Sequence, residues 1–454
     1  TDDERRLYAR QMETFASQME LVDAQIGRVV DALERIGELD NTLIFVTSDN
    51  GASGEGGLAG TFNETYVLNG MQTPLDANLR HYDNWGDATT YPHYHAGWAM
   101  AGNTPFRYFK QSEHRGGQQD FLVVHWPDGI QARGEVRSQY HHISDIAPTI
   151  LEATDISVPE EYHGVPQQPM DGTSMLYSFA DGDAPNQKDR QYYEMFGNRA
   201  MWSEGWKAVT LHAKRMPWDM NVTLPFDQDE WELYHVAEDF SESTNLADQF
   251  PDKLTELQEM FDEEAWKYNV YPLYDDMITR LAKQQDRLFG DQQEFVYYAP
   301  GAFRIAEKAS APVKNRSHTI TTTIDLQGNE EGVIVAVGGM TGGFTMFIMN
   351  GRLYFDYNFL DGVYYTLTSP PLPRGTTELK FEFTKTVEFG GIGELFVNGE
   401  KVDEADMPQM HVSTYSLAET FDIGRDTGTQ VSKLYDHPFP LVGALDKVII
   451  RLTN

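Results

Sequence analysis

The sequence predicts an α/β domain followed by a β-sandwich. At the amino end an amphipathic helix, a short loop, a continuous apolar strand and a polar loop follow one another, which is an α/β signature. Near residue 298 the patterning changes. Beyond it come short strands separated by Asn-Gly turns, the rhythm of a sandwich. The expected domains are therefore residues 1–298 and 299–454.

The first element spans residues 1 to about 37. Tyr8, Met12, Phe15, Met19, Val22, Ile26, Val29 and Leu33 step by three and four, the spacing of one helix face. Thr1 or Asp2 caps it, Asp3 and Glu4 lie in the first turn, and Gly37 ends it. Thr42–Thr47 is an uninterrupted apolar run of the kind buried inside a parallel sheet. Residues 52–105 are rich in Gly, Asn, Tyr and His and show little periodicity, so they read as a long surface excursion. A second buried strand is expected at Phe121–Trp126, closed by Pro127-Asp128-Gly129, and a helix at Ile143–Ala153. Residues 191–236 alternate in patches and suggest antiparallel strands. From Pro251 a helix carries Leu254, Leu257, Phe261 and Ala265 on one face. Ala299-Pro300-Gly301 and Lys308–Ser317 read as a linker. Phe344–Met349 and Arg352–Tyr357 flank Asn350-Gly351, and Glu394–Val397 and Glu400–Val402 flank Asn398-Gly399. Both are hairpins with a type I′ turn signal. Lys447–Leu452 is a terminal strand.

Composition narrows the function. Hydrophobic residues make up 40% of the 454 and aromatics 12%, enough for a sizeable core. With 35 basic against 70 acidic residues the formal charge is −35, which repels phosphate backbones and anionic lipid heads. No nucleic-acid partner and no membrane insertion are expected, since no apolar run approaches the roughly 18 residues a span needs. There are no cysteines, so disulfides, thiolate metal sites and a cysteine nucleophile are excluded for these residues. The chain opens Thr-Asp-Asp-Glu without an initiator Met and is expected to be processed or cut from something longer.

A few residues could carry chemistry. Asp49-Asn50 ends the first strand, where open α/β sheets place ligands. A carboxylate beside an amide carbonyl offers hard oxygens suited to Ca2+ or Mg2+. The same residues could simply form an Asn-Gly turn capped by Asp49. Lys110, near Gly116-Gly117, could hold an anionic oxygen or be a solvated side chain. His93 and His95 would share one face of a strand, as metal ligands sometimes do, but no carboxylate stands at a helpful spacing. His141 and His142 would point apart in a strand. Trp85, Tyr91, Tyr94 and Trp98 could line a sugar or aryl pocket, or be core.

Taken in order, these segments resemble a known family. Asn41-Thr-Leu-Ile-Phe-Val-Thr-Ser-Asp-Asn-Gly-Ala-Ser53 is similar to the second-half signature of type I sulfatases of the bacterial arylsulfatase kind, in the alkaline phosphatase superfamily. Further matches follow in the family's order: Gly97-Trp98-Ala99, Asn103–Lys110, Gly116-Gly117, His125-Trp126-Pro127 and Asp145–Thr149. After them come Asp171–Ser174, Gly197–Ala200, Trp231–Tyr234 and Glu242–Ala247. The carboxyl-terminal region is similar to the lectin-like, concanavalin or jelly-roll type domain appended to long bacterial arylsulfatases.

The resemblance implies hydrolysis of sulfate esters on small molecules or glycans, in a periplasmic or secreted protein. It implies that Asp49 and Asn50 are Ca2+ ligands and that Lys110 contacts the sulfate. The family's nucleophile is a formylglycine made within a Cys- or Ser-x-Pro-x-Arg motif, and no such motif is present. Ser157-Val-Pro-Glu-Glu161 lacks the Arg, and Ser369–Arg374 has its Arg one place late. The expectation is thus the C-terminal portion of a sulfatase, its formylglycine half elsewhere, inactive alone. The alternatives are a non-catalytic carbohydrate-binding protein or a phosphatase-like member of the same superfamily.

Overall fold

The structure, a computed structural model, describes residues 1–219, 224–276, 288–360 and 362–453. By contacts the chain divides into two units. One comprises Thr1–Thr14, Glu55–Ala96 and Asp276–Asn454, and the other Phe15–Gly54 and Gly97–Asp275.

The second unit is mixed α/β. The first helix is Asp2–Ile36, with Asp2, Asp3 and Glu4 in its first turn, and its part up to Thr14 belongs to the other unit. Its apolar stripe is present but open from Phe15 onward, with Met19, Val22, Ile26 and Val29 all exposed. The two strands expected in a buried parallel sheet differ from that reading. Ile44–Thr47 and Leu122–His125 pair antiparallel, with Thr47 opposite Leu122, as a two-stranded sheet. Phe121 and Val123 are more than half exposed at 58% and 54%. An apolar run fixes a strand's preference for burial but not its partner's direction, and among the described residues no further strand flanks this pair.

Residues 190–235 form the expected antiparallel sheet, Arg190–Met195, Asn198–Ser203, Trp206–Thr210 and Glu232–His235 in that order. The helix Pro251–Lys267 packs Leu257, Phe261 and Ala265 against Met201, Ala208 and Leu233 of this sheet. Pro at its start suits a position whose N–H has no intrahelical partner. Ile143–Asp145 is a 3₁₀ turn leading into the helix Ile146–Ala153. His141 and His142 lie in the loop before it, not in a strand, and His142 Nδ1 caps the turn by accepting from Ser144 N.

The first unit is built on a sandwich of two six-stranded antiparallel sheets. One runs Ile305–Ala306, Thr420–Ile423, Gly332–Gly339, Gly342–Met349, Arg352–Phe359 and Val363–Pro371. The other runs Glu400–Met407, Gly390–Val397, Gly375–Val387, His318–Leu326, Lys447–Leu452 and Glu294–Tyr298. Both predicted hairpins are present, and Asn350, Gly351, Asn398 and Gly399 take the positive φ a type I′ turn requires. In His318–Leu326 alternate residues are buried, the period of a strand with one face inward. Ile320, Phe381, Phe383 and Leu395 meet Val335, Phe344, Met346 and Phe355 in the core between the sheets. The outermost strand, Glu294–Tyr298, precedes residue 299 and pairs with Lys447–Arg451. The expected linker is less open than its composition suggests, because Ala311 and Val313 are buried in this core.

Residues 55–96 also depart from expectation. They are not a surface excursion but a set of short helices with a core of their own, in which Phe62, Ala77 and Trp85 surround Leu7. Asn69 ties this segment to the sandwich. Its Oδ1 accepts from Val412 N (2.8 Å) and Ser413 N (2.9 Å), and its Nδ2 donates to Thr65 O (2.8 Å) and Thr414 O (2.9 Å). Asn69→Ala strands these buried groups, at about 1–3 kcal/mol. We expect the first unit's thermal transition to fall by several degrees; an unchanged melting curve would show that Asn69 does not hold this segment.

Candidate functional site

The site begins where the strand Ile44–Thr47 ends. Thr47 Oγ1 donates to Phe121 O (2.8 Å), so the turn after the strand lies beside the start of its partner. The chain then turns through Ser48, whose Oγ donates to Asn50 O (2.9 Å). Asp49 is exposed and Asn50 half-buried. Both side chains are therefore clear of the apolar core.

Three backbone contacts dock this turn onto residues 103–117. Gly51 N donates to Gly117 O (3.1 Å), Ala52 N to Asn103 Oδ1 (3.0 Å), and Lys110 N to Ala52 O (3.0 Å). Asn103 also donates through Nδ2 to Tyr108 O (3.0 Å) and Gly116 O (2.6 Å), so one side chain staples both segments. The glycines are a steric requirement. A Cβ on Gly51 would lie 1.8 Å from Gly116 O, and one on Gly117 1.9 Å from Ser112 O.

A further carboxylate joins the turn. Antiparallel pairing of Thr47 with Leu122 brings Asp120 into the neighbourhood of Asp49. The Asp120 carboxyl is held above its ordinary value, by burial first and then by the negative charge of Asp49. Two carboxylates brought to one turn beside an amide oxygen suit a hard divalent cation. The donor set thus fits Ca2+, with Asp49, Asn50 and Asp120 as the residues that would hold it. Asp120 is invisible to a motif search, because it is brought in by strand pairing.

Around Lys110, segments from distant parts of the sequence converge. Lys110 shares a cleft with Tyr108, Gln111, Ser112, Asn198 and Arg215. Asn198 Oδ1 accepts from His212 N (2.8 Å). His114 Nε2 donates to Glu232 Oε2 (2.6 Å) while Nδ1 faces Ser112 Oγ (3.0 Å). Burial pushes the His114 pKa down, so a neutral ring donates to an ionised carboxylate. Glu232 is pulled to about 2, chiefly by that hydrogen bond. Tyr234 donates to the same carboxylate (2.9 Å) and Arg107 also pairs with it (3.5 Å). Glu242, wholly buried, accepts from Lys207 Nζ (2.7 Å) and from Arg115 N (2.9 Å), fixing the residue before Gly116-Gly117.

The remaining candidates fall elsewhere. Trp85 is core, 2% exposed, and not a pocket wall. His95 packs against Tyr8 with the rings tilted and their centroids 4.0 Å apart, and burial lowers its pKa. His93 instead stands with Glu55 and Glu64, one ligating atom of each within 4.8 Å of the others. Carboxylates do stand beside His93, then, brought there by the chain's folding rather than by sequence spacing.

Comparison with known proteins points in one direction. The sulfatase family profile matches residues 1–156, and the profile described as N-sulphoglucosamine sulphohydrolase, C-terminal, matches residues 107–270. These two matches place residues 1–270 with the sulfatases. An uncharacterized sulfatase of Schizosaccharomyces pombe is 31% identical over 262 residues, covering 57% of this chain and 44% of that protein. The arylsulfatase of Klebsiella aerogenes is 28% identical over 176 residues, covering 38% of this chain and 36% of that enzyme. Among solved structures, Ps i-CgsB in complex with k-i-k-neocarrahexaose is 20% identical with a TM-score of 0.38, covering 59% of this chain and 46% of that one. The chain thus spans less than half the length of these relatives. Among the described residues no helix is long and apolar enough to cross a membrane.

Proposed function

We propose that this sulfatase chain supplies the Ca2+- and sulfate-binding half of an arylsulfatase-type site, acting on a sulfated small molecule or glycan in the periplasm or outside the cell. One observation carries the reading: the docking of residues 48–52 onto residues 103–117 through Gly51, Ala52, Asn103 and Lys110. Asp49, Asn50 and Asp120 hold Ca2+ through hard oxygens. Bound there, Ca2+ would neutralise charge on the sulfate as its S–O bond breaks. Lys110 places a second positive charge on the sulfate oxygens. Asn103 and the glycines fix the backbone under these side chains, so little reorganisation is needed at the moment of reaction.

The nucleophile is a different matter. A covalent sulfate intermediate needs an activated nucleophile, and these 454 residues contain no cysteine to become formylglycine. We therefore expect the purified chain, with Ca2+ present, to leave 4-nitrocatechol sulfate intact. Turnover above an Asp49→Ala control would overturn the division of labour proposed here.

A further inference from the structure

We propose that Glu55, Glu64 and His93 form a second metal centre, one that takes a borderline divalent cation such as Zn2+ or Co2+ in preference to Ca2+. It shares no residue with the Asp49 turn and does not depend on the sulfatase reading.

The three side chains are assembled by the backbone rather than gathered loosely. Thr61 and His93 exchange both hydrogen bonds of a bridge, Thr61 N to His93 O (2.9 Å) and His93 N to Thr61 O (2.8 Å). Glu64 N donates to Tyr91 O (2.8 Å), which adds a rung and sets Glu64 opposite the His93 segment. The Glu64 segment is itself anchored by buried Asn63, whose Nδ2 donates to Thr341 O (3.1 Å). Glu55 completes the set, and the residue after it must be glycine. A Cβ on Gly56 would lie 2.1 Å from Tyr94 O and 2.6 Å from His93 Nδ1.

The tautomer of the histidine is fixed by its backbone contact. Its Nδ1 lies 2.8 Å from Tyr94 O, and a carbonyl can only accept, so Nδ1 carries the proton. The lone pair is left on Nε2. Metal-bound histidines are typically held this way, the second ring nitrogen donating to a carbonyl or carboxylate that fixes tautomer and ring angle. Two carboxylates and a neutral imidazole carry a charge of −2, matched by one divalent ion. Ligand bonds of about 2.0–2.2 Å require only a modest closing of atoms already within 4.8 Å of one another. The imidazole decides the class, because it favours Zn2+ and its neighbours over the all-oxygen shell of Ca2+.

The test uses the full chain, stripped with a chelator and held in millimolar Ca2+ to saturate the Asp49 turn. Co2+ is titrated in and followed by calorimetry and by its visible absorption. We expect one Co2+ to bind, with roughly tenfold or greater loss of affinity in His93→Gln and in Glu64→Gln, and no change in Asp49→Ala. Circular dichroism checks folding, and Glu55→Gln provides a third, near-isosteric variant should either of the others unfold. The proposal is overturned if no Co2+ binds, the imidazole then serving as an ion-pair partner for the two glutamates. It is equally overturned if the folded variants bind Co2+ as the parent does, or if Asp49→Ala abolishes binding.

Discussion

Replacing Glu242 by alanine is expected to lower the stability of its unit by about 3–5 kcal/mol, the usual consequence of leaving a buried charge without its partner. Glu242 and Lys207 are both buried and 2.7 Å apart. Burial opposes ionisation of Glu242, yet the charge and hydrogen bond of Lys207 and the backbone hydrogen bond of Arg115 hold its carboxyl below its ordinary value. Glu113 offers no substitute, because burial pushes it up to about 8 and leaves it mainly neutral at pH 7. Glu242→Ala therefore strands the Lys207 ammonium and also frees Arg115 N, loosening the turn that receives Gly51. Urea unfolding would measure this. A loss under about 1 kcal/mol, the scale of a surface pair, would show that the pair is not what holds this region. Glu242→Leu combined with Lys207→Met should recover part of the loss, since a packed apolar pair often replaces a buried ion pair at little cost.

Gly51→Ala is expected to be the most damaging single methyl at the candidate site. Its Cβ would meet the Gly116 carbonyl oxygen at 1.8 Å, and that oxygen belongs to backbone that cannot swing aside as a flexible side chain could. Overpacking of this kind costs about 1–3 kcal/mol. Here the relief would come from separating residues 48–52 from residues 115–117, which carries Asp49 and Asn50 away from their support. We expect Ca2+ affinity, measured calorimetrically, to fall roughly tenfold or more. Gly27→Ala is the control, since nothing lies within 4 Å of a Cβ there and the residue sits in the long helix. Equal Ca2+ affinity in the two variants would count against the docking argument.

Local chemistry made much of this fold legible. The 3.6-residue period marks the helices at residues 2–36 and 251–267, and Asn-Gly between alternating runs marks both hairpins. Lys110 and the Asp49-Asn50 turn could be singled out because ordered motifs carry them. What escaped depends on long-range partners. The direction of the Ile44–Thr47 pairing cannot be read from an apolar run, and Asp120 comes near Asp49 only because that pairing is antiparallel. Residues 55–96 lack periodicity because their helices are one turn or so long, and buried amides such as Asn69 and Asn78 hold them in place of an apolar stripe. The meeting of His93 with Glu55 and Glu64 spans 38 residues between Glu55 and His93 and has no spacing rule.

The most direct test of the central claim is turnover of 4-nitrocatechol sulfate after the chain is joined to a formylglycine-bearing sulfatase amino-terminal half. Parent, Asp49→Ala and Lys110→Ala are compared at saturating Ca2+. The account predicts hydrolysis by the joined parent and at least roughly 100-fold lower kcat/KM in each variant, the scale of removing one charge-stabilising group from such a site. Parent-like turnover in both variants, with the proteins folded, would contradict it.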